Sequence, residues 1–247
     1  MLSVVVPVLN EAENLRALTA EILAALDGIV DFELIYVDDG SSDATPAILR
    51  ELSQADGRLR VLRHDRAWGQ SAALRSGIRA ARGPWIATLD GDGQNDPADL
   101  PKLWQARPEG APEELLWLAI GHRVDRRDRA SKRWASRFAN GLRRRMLKDD
   151  TPDTGCGIKL FPRALFLRLP WFNHIHRYLP ALVRREGGTS VSIPVAHRER
   201  SGGRSKYGVF DRAWVGIWDL CGVMWLRRRA ATPQVEEVDA QQAEPQS

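Results

Sequence analysis

Trp85-Ile86-Ala87-Thr88-Leu89-Asp90-Gly91-Asp92-Gly93-Gln94 is the stretch on which the fold turns. Five residues without charge read as a buried strand, and the run stops on two carboxylates that flank a glycine. Upstream, Gly69 to Ala81 is Ala-rich with helical spacing and ends at Gly83-Pro84. Before it, Arg58 to Leu62 reads as a strand, and Asp43 caps a helix that runs through Leu52. Phe32 to Val37 is another strand, stopped by Asp38-Asp39-Gly40-Ser41-Ser42. The chain opens on the Val-rich strand Leu2 to Val8. A helix from Asn10 to Leu26 follows, with Leu15, Leu18, Ile22 and Leu26 on one stripe, Asn10 as its cap and Glu11 and Glu13 at its positive end. Downstream, Leu115 to Ile120 is a fifth strand. Strand–helix alternation with short links predicts an α/β fold, a mostly parallel sheet with helices on both faces. Ligands bind such sheets beyond the carboxyl ends of the strands. The clusters Pro7 to Glu11, Asp38 to Ser42 and Asp90 to Gln94 therefore share one edge, though far apart in sequence.

The composition narrows the class. The 247 residues are 43% hydrophobic and 28% charged, which excludes global disorder, collagen and coiled coil. Two cysteines make no disulfide framework, and no C-x-x-C pair suggests a thiolate zinc site. A net charge of +4 points to an anionic partner. Nine tryptophans against three tyrosines suggest a membrane–water interface. The N-terminal run lacks a basic flank and breaks at Pro7, so it is no signal peptide. No stretch reaches the roughly 18 apolar residues of a spanning helix. A cytosolic setting with reduced cysteines is the expectation.

Each polar cluster admits a chemical and a plainer reading. Asp90, Asp92 and the nearby amide of Gln94 can share one hard cation, Mg²⁺ or Mn²⁺, with a diphosphate supplying the other ligands; the plainer reading is an acidic turn. One of Asp38 and Asp39 can accept from a base or a ribose hydroxyl, while Asp43 is structural. No G-x-G-x-x-G follows the first strand and no Walker loop occurs, which argues against a dinucleotide oxidoreductase and a P-loop NTPase. His197 to Tyr207 gathers Arg198, Arg200, Arg204 and Lys206 with Gly202-Gly203 and Ser205, a loop suited to close over phosphates; the plainer reading is a solvated basic loop. Asp153-Thr154-Gly155-Cys156-Gly157 reads as a turn with Cys156 as a packed small residue. His174 and His176, two apart, read as structural.

The later chain turns basic. From 123 to 148 arginines are dense, and Trp134, Phe138, Leu142 and Met146 form an apolar stripe. Residues 155 to 196 read as a strand, two short helices and a strand. From 208 to 229 a Trp-rich helix carries Trp214, Ile217, Trp218, Cys221, Met224 and Trp225 and ends in Arg227-Arg228-Arg229. Both segments are candidate amphipathic helices for an anionic membrane surface, although packing into the core is the usual fate of such a stripe. One domain over 1–229 and a disordered tail over 230–247 complete the expected organisation.

Val5-Val6-Pro7-Val8-Leu9-Asn10-Glu11, Val37-Asp38-Asp39-Gly40-Ser41-Ser42-Asp43-Ala44-Thr45 and Asp90-Gly91-Asp92-Gly93-Gln94-Asn95-Asp96-Pro97 together resemble family 2 glycosyltransferases. Within these the chain is similar to the polyprenyl-phosphate branch, dolichol-phosphate mannose synthase-like, over roughly residues 3 to 229. The resemblance implies a GT-A fold, a nucleotide-sugar donor (UDP- or GDP-), a divalent metal and inversion at the anomeric carbon. By position it implies that Pro7, Leu9, Glu11 and Asp39 line the nucleoside pocket, with Asp38 and Gly91 beside them. It implies that Asp90, Asp92 and Gln94 hold metal and diphosphate. It places Arg123, Arg198, Arg200 and Lys206 near the donor and acceptor phosphates, with Arg198, Arg200, Ser205 and Lys206 on the acceptor and Asp90, Asp92, Arg123 and Arg200 catalytic. Leu9 stands where relatives often have tyrosine, and Asn95-Asp96 where they often have His-Pro. The Glu-Asp base and Gln-x-x-Arg-Trp motifs usual in family members that act on sugar hydroxyls are absent. A lipid phosphate, with a second pKa of about 6, is already an oxyanion at neutral pH and needs no strong base.

The expectation is thus a peripheral glycosyltransferase on the cytoplasmic face of the inner membrane, moving a sugar to a polyprenyl phosphate. A homo-oligomer or a membrane-anchoring partner subunit is compatible with it. Transfer to a soluble or glycan hydroxyl is the alternative enzyme; the missing base motif counts against it. A basic nucleic-acid-binding module is the rival of another class, disfavoured because an acidic sheet edge repels phosphates. Retention on membranes but not on DNA separates the two.

Overall fold

The computed structural model describes residues 1–124, 146–147, 151–198 and 209–231, with backbone alone for 209–215. One seven-stranded sheet organises them. Its strands are β1 (Leu2–Val8), β2 (Phe32–Asp38), β3 (Leu59–Arg63), β4 (Trp85–Thr88), β5 (Trp117–Arg123), β6 (Lys159–Pro162) and β7 (Thr189–Val195), in the spatial order β3-β2-β1-β4-β6-β5-β7. Strands β3, β2, β1 and β4 run parallel, β6 is antiparallel to both neighbours, and β5 pairs β7 in parallel. The sheet is mostly parallel, as expected. The insertion of β6 between β4 and β5 is new: strand–helix alternation carries no signal for a strand that arrives later in the chain and runs backwards.

Side chains on a strand alternate between faces, and here both faces are covered. Val4, Val6, Val8, Leu34 and Tyr36 pack with Leu15, Leu18, Ile22 and Leu26 of helix α1 (Leu15–Leu26), and with Leu49 of α2 (Thr45–Ala55) and Leu103 of α4 (Leu100–Gln105). Val5, Ile35, Val37 and Ile86 face the other way. They meet Ala73, Leu74 and Ile78 of α3 (Gln70–Ala80) and, farther along, Leu165 and Phe166 of α5 (Arg163–Arg168) and Leu179 and Leu182 of α6 (Leu179–Arg185). Fully burying a side chain of this size contributes about 1.5–3 kcal/mol. These two layers therefore hold the central strands rigidly beneath whatever their ends carry.

Helix α1 begins later than the sequence suggests. Asn10 does not cap it: its backbone is left-handed, with φ of 54°, and its side-chain oxygen accepts from the Ser42 N–H at 2.8 Å. Ser41 Oγ accepts from the Asn10 N–H, and Thr45 Oγ1 from the Glu11 N–H. A short polar residue that tolerates left-handed backbone is spent on stitching the loop after β1 to the loop after β2. Asp43 acts as expected, its Oδ1 accepting from the Thr45 N–H at the start of α2.

Helix α7 (Val209–Arg228) leans on α6 and its approach. Tyr178 donates to the Gly216 carbonyl, His174 pairs Asp219 at 2.9 Å, and Arg185 donates to the Leu226 carbonyl. Val223 is buried, with Leu220 and Met224 beside it. Ile217, Trp218, Cys221 and Trp225 face outward. Of the rest of the stripe read from the sequence, Met224 packs inward, and the side chain of Trp214 lies outside the described residues. Among the described residues no helix is long and apolar enough to cross a membrane. The stripe from Trp134 to Leu142 and the tail from 232 lie outside the described residues.

Candidate active site

Because β1, β2 and β4 are parallel and in register, with Val8 opposite Asp38 and Val5 opposite Thr88, their carboxyl ends meet at one edge. A cleft of about 280 Å³ opens there, lined by Pro7, Leu9 and Glu11 after β1, Asp39 after β2, Gly69 and Gln70 at the start of α3, and Asp90, Gly91 and Asp92 after β4. Three clusters from separate parts of the chain thus converge. Gly91 is required by closeness: a Cβ there would lie 2.6 Å from Val8 Cγ1.

The acidic pair at the end of β2 divides by orientation. Asp38 is fully buried, its Oδ1 accepting from the Ser41 N–H and its Oδ2 lying 3.2 Å from Arg63 Nε. That nitrogen is too poorly aligned for a hydrogen bond, and Oδ2 makes none. Asp38 continues the strand and does not line the cleft. Asp39 begins the turn and does. Its Oδ1 accepts from His64 Nδ1 at 2.7 Å and from the Trp68 N–H, and its Oδ2 from the Gly69 N–H at 2.7 Å. His64 Nε2 in turn lies 2.9 Å from Ser76 Oγ. Asp39 is held as a fixed carboxylate in the cleft wall, a geometry suited to orienting a base or ribose.

At the other end of the cleft Asp90 accepts from the Gln70 amide at 2.7 Å, and Asp92 accepts from the Gln94 N–H at 3.1 Å. Asp90 keeps part of its surface in the cleft, but protein atoms hem in its carboxylate. That burial, with the charge of Asp92, pushes its acid above the usual carboxylate range, against the pull of Lys159, Arg123 and Gln70. Gly157 lies against it: a Cβ there would come 2.2 Å from Asp90 Oδ2. Two carboxylates crowded at one cleft edge are a donor set that a hard divalent cation relieves, so the residues fit Mg²⁺ or Mn²⁺. Among the described residues no group of three or more His, Cys, Asp or Glu forms a closed metal cage. Gln94 is not among the lining residues; its carbonyl accepts from the Arg198 N–H.

The basic candidates separate. Arg123, at the end of β5, makes a bidentate pair with Asp153 at 2.6 and 2.8 Å. Burial costs its cation, but Asp153 outweighs that and raises its pKa. Arg198 is drawn aside to Glu21 of α1 and to Asp96, at 2.5 and 2.8 Å. Arg200, Ser205 and Lys206 lie outside the described residues.

Other groups carried little signal in the sequence. Gln70 and Gly69 looked like an ordinary helix start; the clue is that the loop leading into α3 also reaches the carboxyl edge of the sheet. Lys159 carries no signal of its own in the sequence. It is buried, donates to the Cys156 carbonyl, and has its pKa lowered by that burial, against the pull of Cys156, Asp90 and Asp153. Cys156 packs in the core, where burial pushes its thiol up. His176 Nδ1 lies 2.6 Å from Ser71 Oγ, tying the chain before α6 to α3.

Comparison with known proteins bears on the family and the fold. Residues 3–169 match the glycosyl transferase family 2 profile. The chain is 35% identical over 240 residues to the dodecaprenyl-phosphate galacturonate synthase of Rhizobium johnstonii, covering 94% of this chain and 69% of that one. It is also 35% identical over 210 residues to the undecaprenyl-phosphate 4-deoxy-4-formamido-L-arabinose transferase of Edwardsiella ictaluri, covering 84% and 63%. The chain thus spans about two thirds of the length of these relatives. In fold it resembles the Mycobacterium tuberculosis glucosyl-3-phosphoglycerate synthase bound to Mn²⁺ and UDP-glucose, with a TM-score of 0.63, 23% identity, and coverage of 90% and 79%. A GT-A sheet whose central strand ends bring Asp39, Asp90 and Asp92 to one cleft, over a sequence match that reaches from β1 into α5, makes this chain a member of the family 2 glycosyltransferases.

Proposed function

We propose that the protein transfers a sugar, with inversion, from a UDP- or GDP-sugar to a polyprenyl phosphate at the cytoplasmic membrane surface. The observation that carries this is the cleft itself. Asp39 stands at one end as a fixed acceptor for a nucleoside, and Asp90 and Asp92 stand at the other, where a diphosphate would lie. The named acceptors of the two relatives, dodecaprenyl and undecaprenyl phosphate, support the lipid. The Mn²⁺ and UDP-glucose of the structural neighbour support the donor and the metal.

In the reaction an oxygen of the lipid phosphate forms a bond to the anomeric carbon while the bond from that carbon to the diphosphate breaks. The nucleoside diphosphate leaves with the electron pair. A divalent cation held by Asp90 and Asp92 would supply the charge that stabilises the leaving diphosphate. The protein's own part is alignment. Asp39 fixes the nucleoside, Gln70 holds the Asp90 carboxylate, and the Gly157 backbone keeps the space beside Asp90 clear. Arg123, Arg200 and Lys206 are proposed to meet the phosphates. The nucleophile is already anionic, so positioning and electrostatics supply most of the rate.

Transfer from radiolabelled UDP- and GDP-sugars to undecaprenyl phosphate, with Mg²⁺ or Mn²⁺, tests this. Labelled lipid should form with one donor, be lost in EDTA, and fall by about 10²-fold or more in Asp92→Asn. Full activity in EDTA would remove the metal from the proposal. Labelled glycan without labelled lipid would move the acceptor to a hydroxyl.

A further inference from the structure

The two faces of the sheet carry opposite charge. On the face covered by α1, α2 and α4, the stretches 13–31, 43–56 and 96–114 hold twelve Asp or Glu against four Lys or Arg. On the face covered by α3, α5 and α6, the stretches 70–84 and 160–185 hold eight arginines and no Asp or Glu. A surface kept only for solubility mixes both signs. Helices that do no more than close a sheet need no such division.

The basic face is also one on which apolar side chains reach solvent. Leu167 and Trp171 are 44% and 37% exposed. With Arg75 and Arg79 they line one shallow crevice of about 50 Å³, so the four form a single patch. Arg75 holds the indole in place, its guanidinium carbon 4.4 Å from the Trp171 ring centroid. Arg79 of α3 and Arg168 of α5 are both exposed. The patch continues into α7: three residues past Trp171, His174 pairs Asp219, which follows the exposed Trp218. Leucine and tryptophan set among arginines, with Asp219 already paired, make a surface suited to the headgroup layer of an anionic bilayer. A soluble polyanion would meet the charge and leave the apolar groups in water.

We propose that the face of α3, α5 and α6, and not α7 alone, lies on the anionic membrane, with the acidic face of α1, α2 and α4 turned away. Helix α3 starts at the cleft with Gln70. In this orientation the cleft therefore opens beside the headgroups, where a lipid phosphate lies. The proposal rests on the membrane reading of the function, and the test separates the two. Sedimentation of the full chain with vesicles of phosphatidylglycerol and phosphatidylcholine in equal parts reads it. Every position substituted is exposed, so the fold is retained. Arg79→Gln with Arg168→Gln should weaken binding roughly ten-fold or more. Arg16→Gln with Arg50→Gln removes the same charge from the acidic face. It should change binding by less than about two-fold, because that face lies beyond a Debye length from the lipid. Leu167→Gln with Trp171→Gln should weaken binding to vesicles and leave binding to heparin unchanged. Equal weakening by the two arginine pairs would mean that net charge alone attracts the chain. Wild-type binding by both the Arg79, Arg168 and the Leu167, Trp171 variants would confine the contact to α7. Either result overturns the inference and leaves the membrane reading standing. Unaltered protein that stays in the supernatant overturns both. Heparin bound as tightly as vesicles, with the Leu167 and Trp171 substitutions without effect on either, would assign the face to a soluble polyanion and overturn the inference.

Discussion

Glu33 sits at the edge of the sheet opposite the cleft, buried at the start of β2. Ser3 Oγ donates to its Oε1 at 2.7 Å, the Arg82 N–H to the same oxygen at 2.6 Å, and Arg60 to its Oε2 at 2.5 Å. Burial pushes this carboxyl up, but the three donors outweigh it, and its pKa falls below the ordinary 4.5. A carboxylate whose folded pKa is lowered stabilises the fold above its unfolded pKa, and that stability is lost as pH falls through the folded value. Glu33→Gln should therefore cost about 2 kcal/mol at neutral pH and flatten the fall of the melting temperature between about pH 5 and about pH 3. Thermal melts across that range check it; parallel curves for the two proteins would show that the carboxylate's charge does not matter. Legibility at this scale follows a pattern. Asp90 and Asp92 were readable because charge after a strand has few structural uses. Which of Asp38 and Asp39 faces the cleft was not, since one residue of difference in where β2 ends turns a side chain from core to solvent. Lys159 was not readable at all. Nothing local distinguishes a buried lysine from an exposed one, because its burial comes from β4 and β5, distant in sequence.

At the scale of the element, α7 shows what periodicity can and cannot decide. An apolar stripe flanked by arginines suits either a core or a membrane surface, and on this helix one face is packed and the other exposed. Val223 packs inward, while Trp218 and Trp225 stand 68% and 59% exposed. Tryptophans left in water are unusual on a monomer, and beside Arg227-Arg228-Arg229 they fit an anionic lipid surface. The chain should sediment with anionic liposomes and be released by salt, each arginine contributing about 1 kcal/mol near the surface. Trp218→Glu with Trp225→Glu should abolish sedimentation and leave the melting temperature unchanged. Sedimentation retained in that variant would place the contact elsewhere. Helix α1 makes the complementary point. Its stripe from Leu15 to Leu26 was legible, but its start was not, because Asn10 was needed to tie two loops together at the cleft rim.

For the whole molecule, the central fact is that the cleft is built on β2, β1 and β4, the strands with core on both faces. A ligand there grips strands buried on both faces, so its binding should register in global stability and not in a local opening. Strand order made this legible: parallel strands whose polar ends share an edge imply one site. The reversed β6 was not legible, yet it is what brings Gly157 and Lys159 beside Asp90. A ligand at about 100 times its dissociation constant stabilises by about 2.7 kcal/mol. For a chain of this size each kcal/mol is worth about 2–4 °C, so the matching nucleoside diphosphate with Mn²⁺ should raise the melting temperature by roughly 5–11 °C. The two ends of the cleft then separate by their response. In Asp92→Asn the shift should shrink to what the nucleoside alone gives, and EDTA should have no further effect. In Asp39→Ala the shift should shrink as well, but what remains should still vanish on chelation, because the carboxylates that hold the metal are intact. A scan of UDP, GDP and free pyrophosphate across the three proteins reads both responses at once. Pyrophosphate should lose its effect in Asp92→Asn and keep it in Asp39→Ala. Equal shifts in both variants would mean that the two ends of the cleft do not bind the two ends of one donor.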